Sequence, residues 1–260
     1  MLDHIKELVG TRDLLWAWTG RNLRARYQQS ILGWLWAIVQ PGAQAIIFTV
    51  VFTFFVRVQT GGTPYILFSY VAIVFWTFFS LSLSDMTGSL VANMNLVTKI
   101  YFPRELLPMA AMLARLADLG IALLLLVALM VYYNCFVLSV AWLCLPGILA
   151  LQILLTTGLG FACAAANVFY RDVQAALALG VQLWFYASPI IYPVTVVPES
   201  MRTFYFLNPM TGIIEAYREV LLYGRAPGSY LATSAAISLL VFVVGYHLFK
   251  RIEFQISDVI

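Results

Sequence analysis

Long stretches without any Asp, Glu, Lys or Arg dominate this chain. The stretches are 24 to 52 residues long and cover 27–56, 58–84, 119–170, 173–198 and 226–249. A helix needs about 20 apolar residues to cross the hydrocarbon core of a bilayer. Four stretches therefore predict one membrane span each, and the stretch 119–170 is long enough for two.

The stretch 119–170 needs a turn between its two predicted spans. We place the turn near Tyr133 and Asn134, because asparagine favours turns. Pro146 then predicts a kink early in the following helix. The six predicted spans are 31–56, 65–85, 110–133, 138–166, 174–192 and 229–249.

Composition supports the same class of protein. Of the 260 residues, 62% are hydrophobic and only 10% are charged, whereas soluble domains carry roughly 25% charged residues. This excludes an ordinary soluble enzyme and predicts an all-α integral membrane protein, with residues 1–260 forming a single transmembrane domain. The net charge of +3 comes without a basic run, so we expect no nucleic acid partner.

Residues 1–30 predict an amphipathic helix at the membrane interface. Their charges, with no apolar run before a small-residue cleavage site, exclude a signal peptide. In the later part, Arg21 and Arg24 lie on one helical face, and Leu23 and Tyr27 lie on another. This division of faces is typical of a segment that lies on a membrane surface.

Six spans place both termini on the same side of the membrane. With the termini inside, the inner segments hold eleven Lys and Arg residues and the outer segments hold four. The positive-inside rule therefore predicts that both termini are cytoplasmic. The connection 86–109 then forms a cytoplasmic loop, and the connection 193–228 forms a periplasmic region.

The periplasmic region 193–228 predicts a helix with two unlike faces. Ile213, Tyr217, Val220 and Leu221 share one face, and Glu215, Arg218 and Glu219 share the other. Such a helix can dip into the membrane without spanning it, which predicts a re-entrant hairpin before the last span. An ordinary periplasmic surface helix is the alternative.

The sequence carries no pattern typical of catalysis or of metal binding. No lysine stands in a phosphate-binding GxxxxGK[ST] motif, and the HExxH, GxSxG and GxGxxG motifs are absent. The two histidines lie at opposite ends, and the three cysteines lie in apolar sequence without a CxxC pair. We therefore predict no catalytic residues and no metal site.

Ion-coupled transport is an alternative function, because secondary transporters place ionisable residues inside their spans. Here the ionisable residues Asp85, Arg115 and Asp118 lie near the ends of predicted spans. Arg115 and Asp118 have the i,i+3 spacing of a local ion pair. This arrangement favours a channel that an external energy source opens.

Several segments, in order along the chain, resemble the permeases of polysaccharide-exporting ABC transporters, and most of all those of the O-antigen type. The resembling segments are Asn22–Pro41 (NLRARYQQSILGWLWAIVQP), Lys99–Glu105 (KIYFPRE) with Pro108, Phe169–Val173 (FYRDV), Ser188–Pro193 (SPIIYP), and Asn208–Met210 (NPM) with Glu215, Tyr217 and Arg218.

The resemblance implies a homodimer that pairs with a separate ABC ATPase subunit in the bacterial inner membrane. ATP and magnesium then belong to the ATPase, and this chain holds no cofactor. The implied substrate is a glycan on a polyprenyl diphosphate, moved from the cytoplasm to the periplasm. Alternatives are a teichoic acid or capsule exporter, an ion-coupled secondary transporter, and a membrane-bound glycosyltransferase or lipid-modifying enzyme.

The resemblance also implies roles for two sets of residues. The loop 86–109 is expected to contact the ATPase, through Lys99, Tyr101, Phe102, Pro103 and Arg104; the alternative is a loop that lies on the headgroups. Gating is expected at the cytoplasmic residues Leu32 and Gly33 and at the periplasmic residues Asn208, Pro209, Glu215 and Arg218.

Candidate substrate contacts are arginines and aromatic residues. The guanidinium fork of Arg21, Arg24 or Arg26 can bind two phosphate oxygens at once; the alternative is that these residues only set topology and hold anionic lipid. Aromatic rings stack on sugar faces, which suggests Trp76, Trp184 and Tyr186. An interfacial aromatic belt is the alternative for these three.

Overall fold

The computed structural model describes residues 11–28, 30–97, 99 and 102–259, with side chains up to residue 253. This part of the chain consists of helices, turns and irregular segments and contains no β-strand. Its α-helices are α1 (Arg12–Tyr27), α2 (Trp36–Val50), α3 (Tyr65–Ala92), α4 (Met94–Val97), α5 (Leu106–Tyr132), α6 (Leu145–Phe169), α7 (Asp172–Tyr186), α8 (Glu199–Tyr205), α9 (Pro209–Tyr223) and α10 (Tyr230–Val259).

Five helical segments of the described chain are long and apolar enough to cross a membrane. They are Gly33–Phe55, Tyr65–Ala92, Leu106–Tyr132, Val140–Phe169 and Tyr230–Glu253. The first and the fourth include short 3-10 or π-helical turns beside α2 and α6. These segments overlap five of the six predicted spans, and the chain is a multi-pass helical membrane protein.

The predicted span 174–192 has a different structure. Its helix, α7, has only 15 residues, which is about 22 Å and less than the roughly 30 Å of a bilayer core. Turns follow up to Tyr192. The buried turn residues Ser188 and Ile190 continue the apolar stretch in a non-helical form.

The predicted turn near Asn134 is confirmed. Helix α5 ends at Tyr132, and Asn134 has a φ of +54°, which asparagine tolerates better than most residues. The kink predicted at Pro146 is wrong, because Pro146 lies in the first turn of α6. The amide hydrogen that proline lacks has no intrahelical partner in a first turn.

The loop predicted over 86–109 is shorter in the structure. Helix α3 continues through Ala92, and α5 begins at Leu106. Between them lies only the four-residue helix α4 with irregular residues on its C-terminal side. Residues 86–92 therefore belong to the second membrane helix.

Helix α3 is the centre of the bundle. It packs against α2, α5, α6, α7 and α9. In its most apolar stretch of 18 residues, 78% of the residues are buried. The same measure is 11% for the first candidate span and 17% for the last. The first and last spans therefore turn most of their surface away from the rest of the chain.

Helices α6 and α10 form the most extensive helix pair and touch through their backbones. A Cβ atom on Gly245 would overlap the carbonyl group of Gly158, and one on Gly158 would lie 2.5 Å from the Cα of Phe242. Small residues of this kind allow membrane helices to approach closely. Glycine is therefore required at both positions.

Candidate functional site

Four charged side chains meet at the end of the bundle that carries α1, which we call the inner end. Arg26 Nη2 donates to Asp85 Oδ2 at 2.7 Å, and Arg26 Nη1 donates to Asp118. Arg115 Nε donates to Asp85 Oδ2 at 2.7 Å, and its Nη1 donates to Asp118 Oδ2 at 3.2 Å. We call Arg26, Asp85, Arg115 and Asp118 the inner charge cluster.

The inner charge cluster joins three helices and balances its own charge. Arg26 lies on α1, Asp85 on α3, and Arg115 with Asp118 on α5. The side chains keep only 12–29% of their surface exposed, and charged groups at this depth need opposite charges and hydrogen bonds. The cluster therefore fixes α1 against the second and third membrane helices.

Tyr27 extends this cluster on the α1 side. Its hydroxyl group donates to Asp118 Oδ1 at 2.7 Å, and its ring stacks on Trp34 with the centroids 4.7 Å apart. Burial, followed by the hydrogen bond to Asp118, raises the pKa of Tyr27 to about 12. The phenol therefore stays a hydrogen-bond donor at neutral pH.

The three arginines predicted to bind a diphosphate are in different environments. Arg26 is occupied by the two carboxylates, whereas Arg21 and Arg24 are exposed. Arg21 Nη1 lies 3.4 Å from Asn93 Oδ1, and its guanidinium lies 4.5 Å from the ring centre of Trp18. The structure therefore separates Arg26 from the other two.

Arg21 and Arg24 line an open cavity at the inner end. Its volume is about 660 Å³, and Tyr27, Gln28 and Trp34 also contribute to its wall. A second cavity, of about 270 Å³, lies between α2, α3 and α5, with Arg26, Arg115 and Asp118 on its polar side. The inner end thus offers exposed guanidinium groups beside an aromatic and apolar wall.

The predicted inner gate residues Leu32 and Gly33 form the turn between α1 and α2. Gly33 has a φ of +49°, a conformation that suits glycine, and its amide donates to Ser30 Oγ at 3.1 Å. Leu32 is 40% exposed. The turn therefore lies at the surface, next to the cavity with Arg21 and Arg24.

The residues predicted to contact an ATPase occupy the segment between α4 and α5. Lys99 is exposed, Phe102 and Pro103 are half-buried, and Tyr101 lies outside the described residues. Phe102 also packs against the hydrophobic core. Arg104 Nη1 donates to the backbone carbonyl of Glu253 at 2.8 Å.

Two of the three predicted aromatic contacts belong to the interior of the bundle. Trp76 is 5% exposed and packs edge-on against Trp184, with the ring centres 6.3 Å apart. Trp184 Nε1 donates to Asn208 Oδ1 at 2.8 Å. Tyr186 is exposed, so it is the aromatic side chain of this set with a free face.

The predicted outer gate residues hold α9 in place. Asn208 Oδ1 accepts the amide of Met210 at 3.0 Å and so caps the helix, and Pro209 is its first residue. Asn208 Nδ2 also donates to Ser188 Oγ at 2.9 Å. Asn208 therefore links the start of α9 to the turn after α7.

Arg218 differs from the sequence expectation, because it is fully buried. Its Nη2 donates to the carbonyl of Ile190 at 2.9 Å, its guanidinium lies 3.6 Å from the ring centre of Phe68, and its Nη1 lies 3.5 Å from Glu215 Oε2. Both faces of α9 are covered, since it packs against α3, α6 and α10.

Sequence reasoning found the Arg115–Asp118 pair but missed its partners and a second charged group. Glu105 is buried and pairs with Lys250, which also donates to Glu253 Oε2 at 2.8 Å. Gln152 is buried in the core, where its Nε2 donates to the carbonyl of Phe75 at 2.7 Å and its Oε1 accepts from Tyr217 at 2.9 Å. Polar residues inside apolar stretches are the signal that points to such contacts.

Comparison with known proteins gives one family and several full-length relatives. Residues 13–222 match the model of the family described as ABC-2 type transporter. The chain is 30% identical to the O-antigen export system permease protein RfbA of Myxococcus xanthus, with 99% of this chain and all of the relative covered. It is 28% identical to the protein of the same name from Klebsiella pneumoniae, with 95% of each chain covered.

A more distant relative is the polysialic acid transport protein KpsM of Escherichia coli. The identity is 23%, and the alignment covers 90% of this chain and 91% of the relative. The family match spans α1 through α9 almost completely, which includes the inner charge cluster, the segment between α4 and α5, and the short helices α8 and α9. The chain therefore belongs to the ABC-2 type transporter family.

Proposed function

We propose that the chain is the membrane-spanning subunit of an ABC transporter that exports a polyprenyl-diphosphate-linked polysaccharide of the O-antigen type. Two copies form the channel in the bacterial inner membrane, and a separate ATPase subunit binds ATP and magnesium. The observation that carries this proposal is the similarity to O-antigen export permeases over nearly the full length of both chains.

A capsule or teichoic acid exporter is the second candidate. The polysialic acid transport proteins are 22–23% identical to this chain, and the O-antigen export permeases are 27–30% identical. The higher identity and the fuller coverage favour a substrate of the O-antigen type.

Six membrane crossings fit the course of α7. This helix runs along α3: Gln174 lies beside Gly88, Trp184 lies beside Trp76, and the carbonyl of Ile191 accepts the hydroxyl group of Tyr65 at 2.6 Å. The short helix α7 and the buried turn after it therefore run alongside α3, from near its end to its start. An even number of crossings places both termini on one side, and the positive-inside rule assigns that side to the cytoplasm.

The passage for the glycan is formed by the exposed faces of α2 and α7. These helices are neighbours, since the rings of Phe48 and Phe185 lie 5.9 Å apart. Gln40 and Gln182 are exposed on them within apolar stretches. An amide is costly in lipid, but it can bind sugar hydroxyl groups or water between two copies of the chain.

The diphosphate is bound by Arg21 and Arg24 rather than by Arg26. Both exposed guanidinium groups border the inner cavity, whereas both Nη atoms of Arg26 already donate to carboxylates. The lipid tail then lies against Trp34 and the turn at Gly33. The ATPase docks on the segment between α4 and α5.

Reconstitution in liposomes tests the central proposal. The purified chain alone should not hydrolyse ATP, and the chain with its ATPase subunit should move a lipid-linked O-antigen glycan across the bilayer when ATP is present. Transport of capsular or teichoic glycans but not of O-antigen glycan would support the second candidate. Transport driven by an ion gradient without the ATPase would contradict the proposal.

Exchange of arginine for lysine tests the diphosphate site. The double variant Arg21→Lys/Arg24→Lys keeps the charge, so it should insert and assemble normally. Export should fall and lipid-linked glycan should accumulate on the cytoplasmic face, because lysine lacks the bidentate fork. The matched control is Arg12→Lys at an exposed position of the same helix, and equal export by all three proteins would make these arginines topological anchors only.

A further inference from the structure

The segment before α5 is joined to the inner end of the last span by charge. The carboxylate of Glu105 is 1% exposed and pairs with Lys250 of α10. Within the described residues its second oxygen, Oε2, is buried without a hydrogen bond. Lys250 therefore lies opposite the buried carboxylate of Glu105, and the neighbouring bond from Arg104 to the carbonyl of Glu253 reinforces the link.

The middle of the last span is locked to α6 by backbone contact. Gly158 and Gly245 leave no room for a side chain between the two helices. Such contacts resist sliding, since tightly packed surfaces do not deform continuously. The two helices therefore move as one body, and movement of the inner end of α10 is carried along this pair to its other end.

The outer end of the last span is joined to α9. The Cβ of buried Ser234 lies 3.3 Å from the position of a Cβ on Gly212. Tyr230 donates to Glu219, whose Oε2 also accepts the amide of Gly228 at 3.0 Å. The ring of Tyr230 stacks on Phe206, with the centroids 4.9 Å apart.

We propose that the last span, α10, transmits movement of the segment before α5 to the outer helix α9, and that Lys250 is the positioning residue for this step. From Lys250 to Ser234 the helix covers about 24 Å. The proposal rests on the proposed function, because the driving movement comes from an ATPase docked at this segment. By way of α10, ATP hydrolysis opens the end of the bundle that carries α9.

The first experiment separates assembly from transmission. A background without the native cysteines Cys135, Cys144 and Cys163 carries Thr211→Cys, at a position of α9 that is fully buried. In the complex with the ATPase, a membrane-impermeant thiol reagent should label the introduced cysteine only during ATP hydrolysis. With Lys250→Met added, hydrolysis should persist, while ATP-dependent labelling and export fall by about tenfold, an effect of the size found along coupling networks.

The controls assign the effect to the pair with Glu105. Lys250→Arg keeps the cation and should retain labelling and export. Glu253→Gln removes only the second, partly buried partner of Lys250 and should also retain both. ATP-dependent labelling and export at the unsubstituted level in Lys250→Met would overturn the inference. A complex with native Lys250 that hydrolyses ATP without moving glycan would instead contradict the proposed function.

A second experiment remains informative if Lys250→Met does not fold. Gly212→Cys with Ser234→Cys places two Cβ atoms near the separation of natural disulfides, which is about 3.5–4.5 Å. If α9 and α10 move together, export should continue after this disulfide has formed. Loss of export on oxidation, reversed by a reductant, would show that the two helices must separate and would overturn the inference.

Discussion

Replacement of Arg26 by glutamine tests whether the inner charge cluster is structural. The glutamine side chain is shorter than that of arginine and carries no charge, so its amide cannot bridge Asp85 and Asp118. Two carboxylates would then share Arg115 as their cation. The perturbation removes the link between α1 and the two membrane helices and leaves the cluster with an excess negative charge.

The size of the effect follows from burial. Breaking a fully buried ion pair costs about 3–5 kcal/mol, and an exposed pair contributes at most about 1 kcal/mol. Arg26 and its partners keep 12–29% of their side-chain surface exposed, so we expect a loss of about 2–3 kcal/mol. For a chain of this size, that loss lowers the melting temperature by roughly 4–12 °C.

Thermal unfolding of the detergent-solubilised chain without substrate measures this loss. The matched control is Arg24→Gln, two residues away and exposed, which should change the free energy of unfolding by less than about 0.5 kcal/mol. Adding Asp118→Asn to Arg26→Gln restores neutrality and should recover part of the loss. If Arg26→Gln is as stable as the unsubstituted chain, the cluster is not structural, and a direct role of Arg26 in substrate binding regains support.

Three further substitutions test packing, capping and docking. Gly245→Ala should lower stability by about 1–3 kcal/mol in the same unfolding assay, because its methyl group overlaps the backbone of α6. The control Gly180→Ala, with no atom within 4 Å of the added Cβ, should not. Equal stability of the two variants would contradict the close contact. Asn208→Ala removes the cap of α9 and the acceptor of Trp184 and should cost about 0.5–2 kcal/mol in the same assay. Unchanged stability would mean that the cap is dispensable. Phe102→Asp should abolish co-purification with the ATPase while insertion stays normal, and co-purification at the usual yield would place the docking surface elsewhere.

The membrane helices were predictable because charge is costly in a bilayer. The charge-free stretches gave five of the helices with boundary errors of at most four residues, except that the second span continues seven residues beyond its predicted end. Asn134 marked the turn inside the longest stretch, since few residues adopt its left-handed conformation. The short α7 was not predictable from hydropathy, because the turn after Tyr186 is as apolar as a helix.

The contacts of the candidate site were less predictable, since they join residues that are distant in sequence. The i,i+3 spacing revealed Arg115 and Asp118, but Arg26 reaches Asp118 across 92 positions. A helical wheel grouped Arg218 with Glu215 correctly, and the two lie 3.5 Å apart. It could not indicate that other helices cover this polar face and bury Arg218.

Helix α5 carries both sets of ionic contacts. Glu105, at its start, pairs with Lys250 of α10. Arg115 and Asp118, about 15–20 Å further along the helix, hold α3 and α1. A force on the segment before α5 therefore acts on the last span through Glu105 and on α1 through the inner charge cluster. Helix α1 carries the exposed Arg21 and Arg24, and α10 contacts α9. Helix α5 can therefore couple movement of α1 to movement of α9.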